Sequence, residues 1–262
     1  MFDYHMHTTV SYDGHGSPVE MVQAAAVVGL KEICFTDHLD YQQSTPREKT
    51  CFSPEQYRSA YENLAIPDLA IRHGVEVGLA LFNKEDIIKD LQAYPYDFVL
   101  GSVHFIDDED PYMPPYWVNR EPLAAEKQYF EEILQCVQLH DDFDVLGHLT
   151  YISKCKAHPC PRAIPLSQYR PIIEEIMRVL ISKGKGMEIN TSGVDRCGDF
   201  LPGLEYLKLF KELGGEIVTV GSDAHGPDRV GQYTKQACEL AKEVFGYVCT
   251  FAERKPIFHK LY

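Results

Sequence analysis

The chain has 262 residues, 45% hydrophobic and 24% charged, with a net charge of −14. That balance is globular rather than disordered, and no apolar run reaches the roughly 18 residues of a membrane span. The acidity argues against a broad nucleic-acid-binding face, which needs Lys and Arg over the phosphates.

The start lacks a basic region followed by an apolar signal core. The eight cysteines are scattered without C-x-x-C pairing, so a cytoplasmic protein with reduced thiols is expected. Cys155-x-x-His158-x-Cys160 has zinc-ligand residue types but no partner pair, and reads as a loop.

Met1 to Val10 is apolar-rich and reads as a first strand. Residues two apart on an extended backbone point the same way, so His5 and His7 converge. Two converging imidazoles make half of a metal site. Ser11 to Pro18 then reads as a loop, Val19 to Val28 as a helix stopped by Gly29, and Glu32 to Thr36 as a strand running into Asp37-His38.

Pro54 to Leu64 suits a helix capped by Ser53. Leu69 to Leu79 is a third strand carrying Glu76, Glu85 to Ala93 a helix, and Asp97 onward a fourth strand closed by His104. Asp107 to Glu121, acidic and then rich in Pro and aromatics, reads as a long loop before a helix over Pro122 to Leu139. Phe143 to His148 is a fifth strand, Leu166 to Ser182 a helix, Gly186 to Asn190 a sixth strand and Gly203 to Leu213 a helix. Glu216 to Val220, a seventh strand, leads into Ser222-Asp223-Ala224-His225, followed by a helix from Val230 to Phe245. The tail from Tyr247 reads as a last strand or a segment packed across the barrel. Alternating strands and helices call for parallel pairing and a closed or nearly closed barrel in one domain over 1–262.

In such a barrel the C-terminal strand ends form one face, where active sites are built. His5, His7, Asp13, His38, Glu76, His104, His148, Asp223 and His225 all fall there, including six of the eleven histidines. His15, His73, His140, His158 and His259 fall elsewhere and are taken as ordinary. The donors outnumber what one ion uses, which points to two or three ions with Glu76 as the bridging carboxylate.

The set His5-Met6-His7, Asp13, Thr36-Asp37-His38, Gly74-Val75-Glu76, His104, Gly147-His148 and Ser222-Asp223-Ala224-His225 resembles the PHP (polymerase and histidinol phosphatase) superfamily across nearly the whole chain. Gly101-Ser102-Val103-His104-Phe105 and Glu188-Ile189-Asn190-Thr191-Ser192-Gly193 resemble, more narrowly, its histidinol-phosphate phosphatases.

The resemblance implies a distorted (β/α)7 barrel, PHP-type, with three divalent ions of Zn, Fe or Mn. His5, His7, Glu76 and Asp223 would hold the first, Glu76, His104 and His148 the second, and Asp13, His38 and His225 the third. Asp13 replaces a histidine found in some relatives, a harder oxygen ligand that favours Mn or Fe.

The implied activity is hydrolysis of L-histidinol phosphate in histidine biosynthesis by a metal-bridged hydroxide. Glu76 and Asp223 are the expected catalytic carboxylates. Arg196, Arg162 and Arg229 are candidate partners of the phosphate, whose oxygens suit a guanidinium fork, and Ser102 is a further substrate contact. Asp107-Asp108-Glu109-Asp110 reads as a solvated acidic turn or, with Tyr112, Tyr116 and Trp117, as a lid for a cationic amine, and Asp37 either orients a ligand or caps a turn. The partner is therefore a small phosphorylated molecule.

Three alternatives remain at this point. An amidohydrolase barrel also begins with H-x-H but uses a bridging Lys near the fourth strand, where this chain has His104. A PHP phosphoesterase acting on nucleotides or oligonucleotides, and a non-catalytic metal-binding interaction module, are the others.

Overall fold

The computed structural model describes residues 1–262. In chain order its elements are β1 (Phe2–Asp3), α1 (Pro18–Val27), β2 (Glu32–Phe35), β3 (His38–Leu39), α2 (Pro54–Tyr61), β4 (Ala70–Gly78), α3 (Lys84–Leu91), β5 (Phe98–Ser102), α4 (Pro114–Trp117), α5 (Pro122–Leu139), β6 (Val145–Leu146), α6 (Leu166–Ser182), β7 (Gly186–Asn190), α7 (Val194–Cys197), α8 (Leu204–Glu212), β8 (Val218–Gly221), α9 (Thr234–Val244), β9 (Tyr247–Ala252) and β10 (Lys255–Lys260). Capping explains the crisp starts of α1 and α2. Ser17 with Glu20, and Ser53 with Gln56, form reciprocal boxes ahead of Pro18 and Pro54, satisfying N–H groups that a first helical turn leaves free.

The strands pair in parallel in the order β1-β2-β4-β5-β6-β7-β8, and β3 adds a short pairing beside β4 with His38 opposite Glu76. The first and last strands then meet. Tyr4 N–H donates to Val220 O at 2.9 Å, Asp223 N–H to His5 O at 2.7 Å and His7 N–H to Ala224 O at 2.8 Å. The result is a distorted (β/α)7 barrel with a main apolar core of 57 buried residues. No helix is long and apolar enough to cross a membrane.

Several boundaries differ from the sequence expectation. The regular ladder of the first strand ends at Asp3, because Met6 N–H donates to Thr36 Oγ1 at 3.1 Å instead of to a backbone carbonyl. The stretch from Asp107 to Glu121 is not all loop: α4 lies within it and buries Tyr116 and Trp117, so these two rings anchor the segment and form no lid. The last helix begins at Thr234, after Tyr233 takes a left-handed backbone.

The tail forms a two-stranded antiparallel hairpin, β9 and β10, turning at Glu253 and Arg254 with φ of 49° and 63°. It plugs the N-terminal end of the barrel. Phe251 lies 4.9 Å from Phe98, accepts from Tyr4 Oη at 3.0 Å, and joins Cys34, Leu100, Val145 and Cys249 in a second apolar cluster. With that end filled by side chains, the opposite end is free to carry chemistry.

Candidate metal centre

The C-terminal strand ends bring all nine expected ligands to one face. His5 Nε2 stands 3.0 Å from His7 Nε2, 3.2 Å from Glu76 Oε2 and 3.6 Å from Asp223 Oδ1. His7 Nε2 stands 3.5 Å from Glu76 Oε2 and 3.4 Å from Asp223 Oδ1. Donors about 2.0–2.2 Å from a tetrahedral ion are separated by about 3.3–3.6 Å, so these four atoms surround a space of ionic size.

Glu76 turns its other oxygen to a second set. Oε1 lies 3.3 Å from His104 Nε2 and 3.0 Å from His148 Nε2, and the two imidazole nitrogens are 3.4 Å apart. One carboxylate thus faces two donor sets, which is the geometry of a bridge. Its Oε2 is buried without a hydrogen-bond partner despite the surrounding histidines, a polar atom left for an ion.

The third set is looser. Asp13 Oδ2 is 3.1 Å from His225 Nε2 and 3.7 Å from His38 Nε2. The His38 and His225 rings each lie 4.2 Å from that of His7, placing this set against the first. His38 Nδ1 also stands 3.1 Å from Glu76 Oε2, so His38 sits between the sets. Asp13 Oδ1, like Glu76 Oε2, is buried and unpartnered. The residues present therefore fit divalent ions.

The electrostatics carry the same signature. Burial alone would keep His5 neutral, yet the carboxylates of Glu188, Glu76 and Asp223 outweigh it and hold its pKa well above the usual value. Burial opposes ionisation of Glu76, but His5, His104 and His38 hold it well below the carboxylate range. Asp223 is likewise pulled down against burial by Lys154 and His5. His7 is pushed well below an ordinary histidine by burial and by the neighbouring His38 and His225, which suits a neutral ligand.

Buried groups behind the ligands fix their orientation. Glu188 Oε1 lies 2.7 Å from His5 Nδ1, and its Oε2 accepts from His148 N–H at 2.8 Å. Asp40 Oδ1 lies 2.9 Å from His104 Nδ1. Both contacts put the proton on Nδ1 and leave Nε2 for an ion. Gly221 makes room for the first pair, since a Cβ there would lie 2.3 Å from both His5 Cβ and Glu188 Oε1.

Asp37 accepts from Thr8 N–H at 2.7 Å and Ser11 Oγ at 2.8 Å, and Ser11 Oγ in turn lies 3.2 Å from His7 Nδ1. Asp37 therefore orients a ligand through Ser11.

A cavity of about 790 Å3 opens over this face. Arg196 and Arg229 line it; Arg196 donates to Lys156 O at 2.6 Å, and Arg229 pairs with Asp195 at 2.8 Å. Two expectations need correction. Arg162 does not line the cavity: Pro161 does, and the next side chain turns the opposite way to Glu126 at 3.2 Å. Ser102 is fully buried and donates to Glu76 Oε1 at 2.6 Å, so it orients the bridge and does not face substrate.

His158, in the Cys-x-x-His-x-Cys stretch, pairs with the same Glu126 at 3.3 Å, and Cys155 Sγ contacts Tyr151 O. No zinc set forms there.

Sequence reasoning missed Glu188, Asp40, His15 and Lys154. His15 lines the cavity. Lys154 lines it too and contacts Asp223 Oδ2 and, at 2.7 Å, Ser192 Oγ. For Glu188 a signal existed, since it shares a β7 face with Asn190 two residues on. For Lys154 there was none.

Fold and site together define a multinuclear metal-dependent hydrolase. A family model described as PHP domain matches residues 3–192. A histidinol-phosphatase of Lactococcus lactis subsp. lactis is 32% identical over 97% of this chain and 95% of its own length. A probable histidinol-phosphatase of Thermotoga maritima is 29% identical, covering 95% and 94%.

The crystal structure of the histidinol phosphate phosphatase from Lactococcus lactis, in complex with zinc, L-histidinol and phosphate, superposes with a TM-score of 0.82 at 30% identity, covering 98% of each chain. The chain belongs to the PHP domain family and, within it, to the histidinol-phosphatases.

Proposed function

We infer that this chain is a metal-dependent phosphomonoesterase that hydrolyses L-histidinol phosphate to L-histidinol and phosphate, in the cytoplasm and within histidine biosynthesis. One observation carries the hydrolytic reading: Glu76 turns one oxygen to His5 and His7, which also face Asp223, and the other to His104 and His148. The substrate follows from the relatives and from a cavity of small-molecule size. Eight unpaired cysteines suit a reducing compartment. The hairpin's share in the barrel's second apolar cluster supports one domain over 1–262.

His5, His7, Glu76 and Asp223 would hold one ion, Glu76, His104 and His148 a second, and Asp13, His38 and His225 a third, of zinc, iron or manganese. When bound, such ions supply Lewis acidity and a water that ionises near neutral pH. The protein's part is placement. Glu188 and Asp40 hold His5 and His104 in the ligating tautomer, and Ser102 fixes Glu76 Oε1. Lys154, fastened by Asp223 and Ser192, offers the phosphoryl group a charged donor close to the ions. Arg196 presents the remainder of its guanidinium from the adjoining wall, and Arg229 lies beyond it with its charge largely met by Asp195.

The metal-loaded protein should be assayed against L-histidinol phosphate, small sugar phosphates and short oligonucleotides. A kcat/KM highest for L-histidinol phosphate is expected; comparable values for all three would overturn the substrate assignment.

A further inference from the structure

The wall of the catalytic cavity contains five carboxylates: Asp13, Glu76, Asp110, Asp195 and Asp223. Three belong to the metal sets. Asp195 is occupied by Arg229 at 2.8 Å and by Tyr233 Oη at 2.5 Å. Asp110 alone has no cationic partner, and its Oδ1 accepts only Tyr112 N–H at 2.8 Å.

Its acidic neighbours are all engaged in holding the segment in place. Asp107 accepts from Gln128 at 2.8 Å, and Glu109 pairs with Arg120 at 2.6 Å. Asp108, at φ 64°, accepts the N–H groups of Gln43 at 2.7 Å and Ser44 at 2.8 Å, tying this loop to the one that follows β3 across the mouth. Burial pushes the Asp110 carboxyl up, with Asp40 adding to the rise and the Tyr112 N–H and His104 opposing it. Lys154, Arg196 and, paired with Asp195, Arg229 supply the cations of the same cavity. The space is therefore bipolar, suited to a ligand with a phosphate at one end and a positive group close by.

We propose that Asp110 is a specificity residue that receives the ammonium group of the substrate, and that Asp108 positions its loop. This rests on the phosphatase reading above and deepens it. L-Histidinol phosphate carries its ammonium on the carbon next to the ester methylene, so the phosphate can meet Lys154 and Arg196 while the amine faces the loop after β5. The acidic segment thus separates into one residue that meets substrate and three that hold it there.

The test compares wild type, Asp110→Asn and Asp108→Ala, each with its metal content measured, on L-histidinol phosphate and on the amine-free ester p-nitrophenyl phosphate. Asn at 110 keeps the acceptor for Tyr112 N–H and loses only the charge. A hydrogen bond to a charged group corresponds to about 10- to 100-fold in affinity. KM for L-histidinol phosphate is expected to rise by about that factor in Asp110→Asn, and by less in Asp108→Ala. Catalysis on p-nitrophenyl phosphate should stay within about twofold of wild type in both.

An Asp110→Asn variant that loses both substrates equally, or neither, overturns the subsite while leaving the phosphatase reading intact. A wild-type enzyme that cleaves neither ester removes the phosphatase reading, and the subsite with it.

Discussion

Replacing Glu188 by Gln tests whether the buried groups behind the ligands control metal binding. Glu188 presents two acceptor oxygens to fixed donors: His5 Nδ1 at 2.7 Å on one side, His148 backbone N–H at 2.8 Å and Asn190 Nδ2 at 3.1 Å on the other. Glutamine offers one acceptor and one donor in the same space. If its NH2 faces His148 N–H, two donors collide and a buried N–H is left unpaired, costing about 1–3 kcal/mol. If it faces His5, the Nδ1 atom must accept, and the proton moves to Nε2, the atom that should bind the ion.

Either way metal binding is weakened, at His148 of the second set in the first case and at His5 of the first set in the second. Substitutions behind a metal ligand typically cost 10- to 100-fold in metal affinity, equivalent to about 1.4–2.7 kcal/mol. Competition with a chromophoric chelator would measure the affinity, and activity titrated against added Zn or Mn should recover at high metal. A Glu188→Gln protein that retains its metals within about twofold of wild type would refute the reasoning.

Three further outcomes are expected. Glu76→Ala and His104→Ala should abolish turnover while leaving circular dichroism and a cooperative melt intact; unchanged activity in both would eliminate the cluster mechanism. Lys154→Met, assayed at saturating metal because Lys154 also touches Asp223, should lower kcat/KM by about 10²–10³, the typical cost of losing one donor to developing charge; an unchanged value would remove Lys154 from the phosphate wall.

The third concerns pH. Burial tends to raise the Glu126 pKa, but His158, Tyr169 and Arg162 pull it below the ordinary glutamate value. Its stabilising contribution is thus complete above about pH 4.5 and lost as pH falls through the lower folded value. The Tm gap between wild type and Glu126→Gln should be steady from neutral pH down to that point and shrink below it; a gap independent of pH would contradict the sign.

What was legible in the sequence, and what was not, has a geometric cause. A strand ending in histidine announces a ligand because the parallel barrel sends every such end to one face, and that rule alone gathered residues from His5 to His225. The supporting acids obey no such rule. Asp40 lies just past the end of β3 and Glu188 within β7, and each becomes significant only because the barrel's curvature brings it against a histidine far away in sequence, His104 or His5.

Direction matters as much as position. Pro161 and Arg162 are neighbours, yet one lines the cavity and the other faces Glu126, a difference set by how the loop packs on α5 and α6 and not by spacing. The hairpin escaped detection for a related reason. Its two-residue turn places Glu253 and Arg254 at positive φ without the Asn or Gly that usually announces one. Arg254 offsets that conformation through its side chain, which reaches the Asp144 carboxylate and, at 3.1 Å, Asp142 O beneath the barrel. Local chemistry therefore predicts the residues proposed to meet the ions, while the tertiary closure of the barrel selects those that hold them in place.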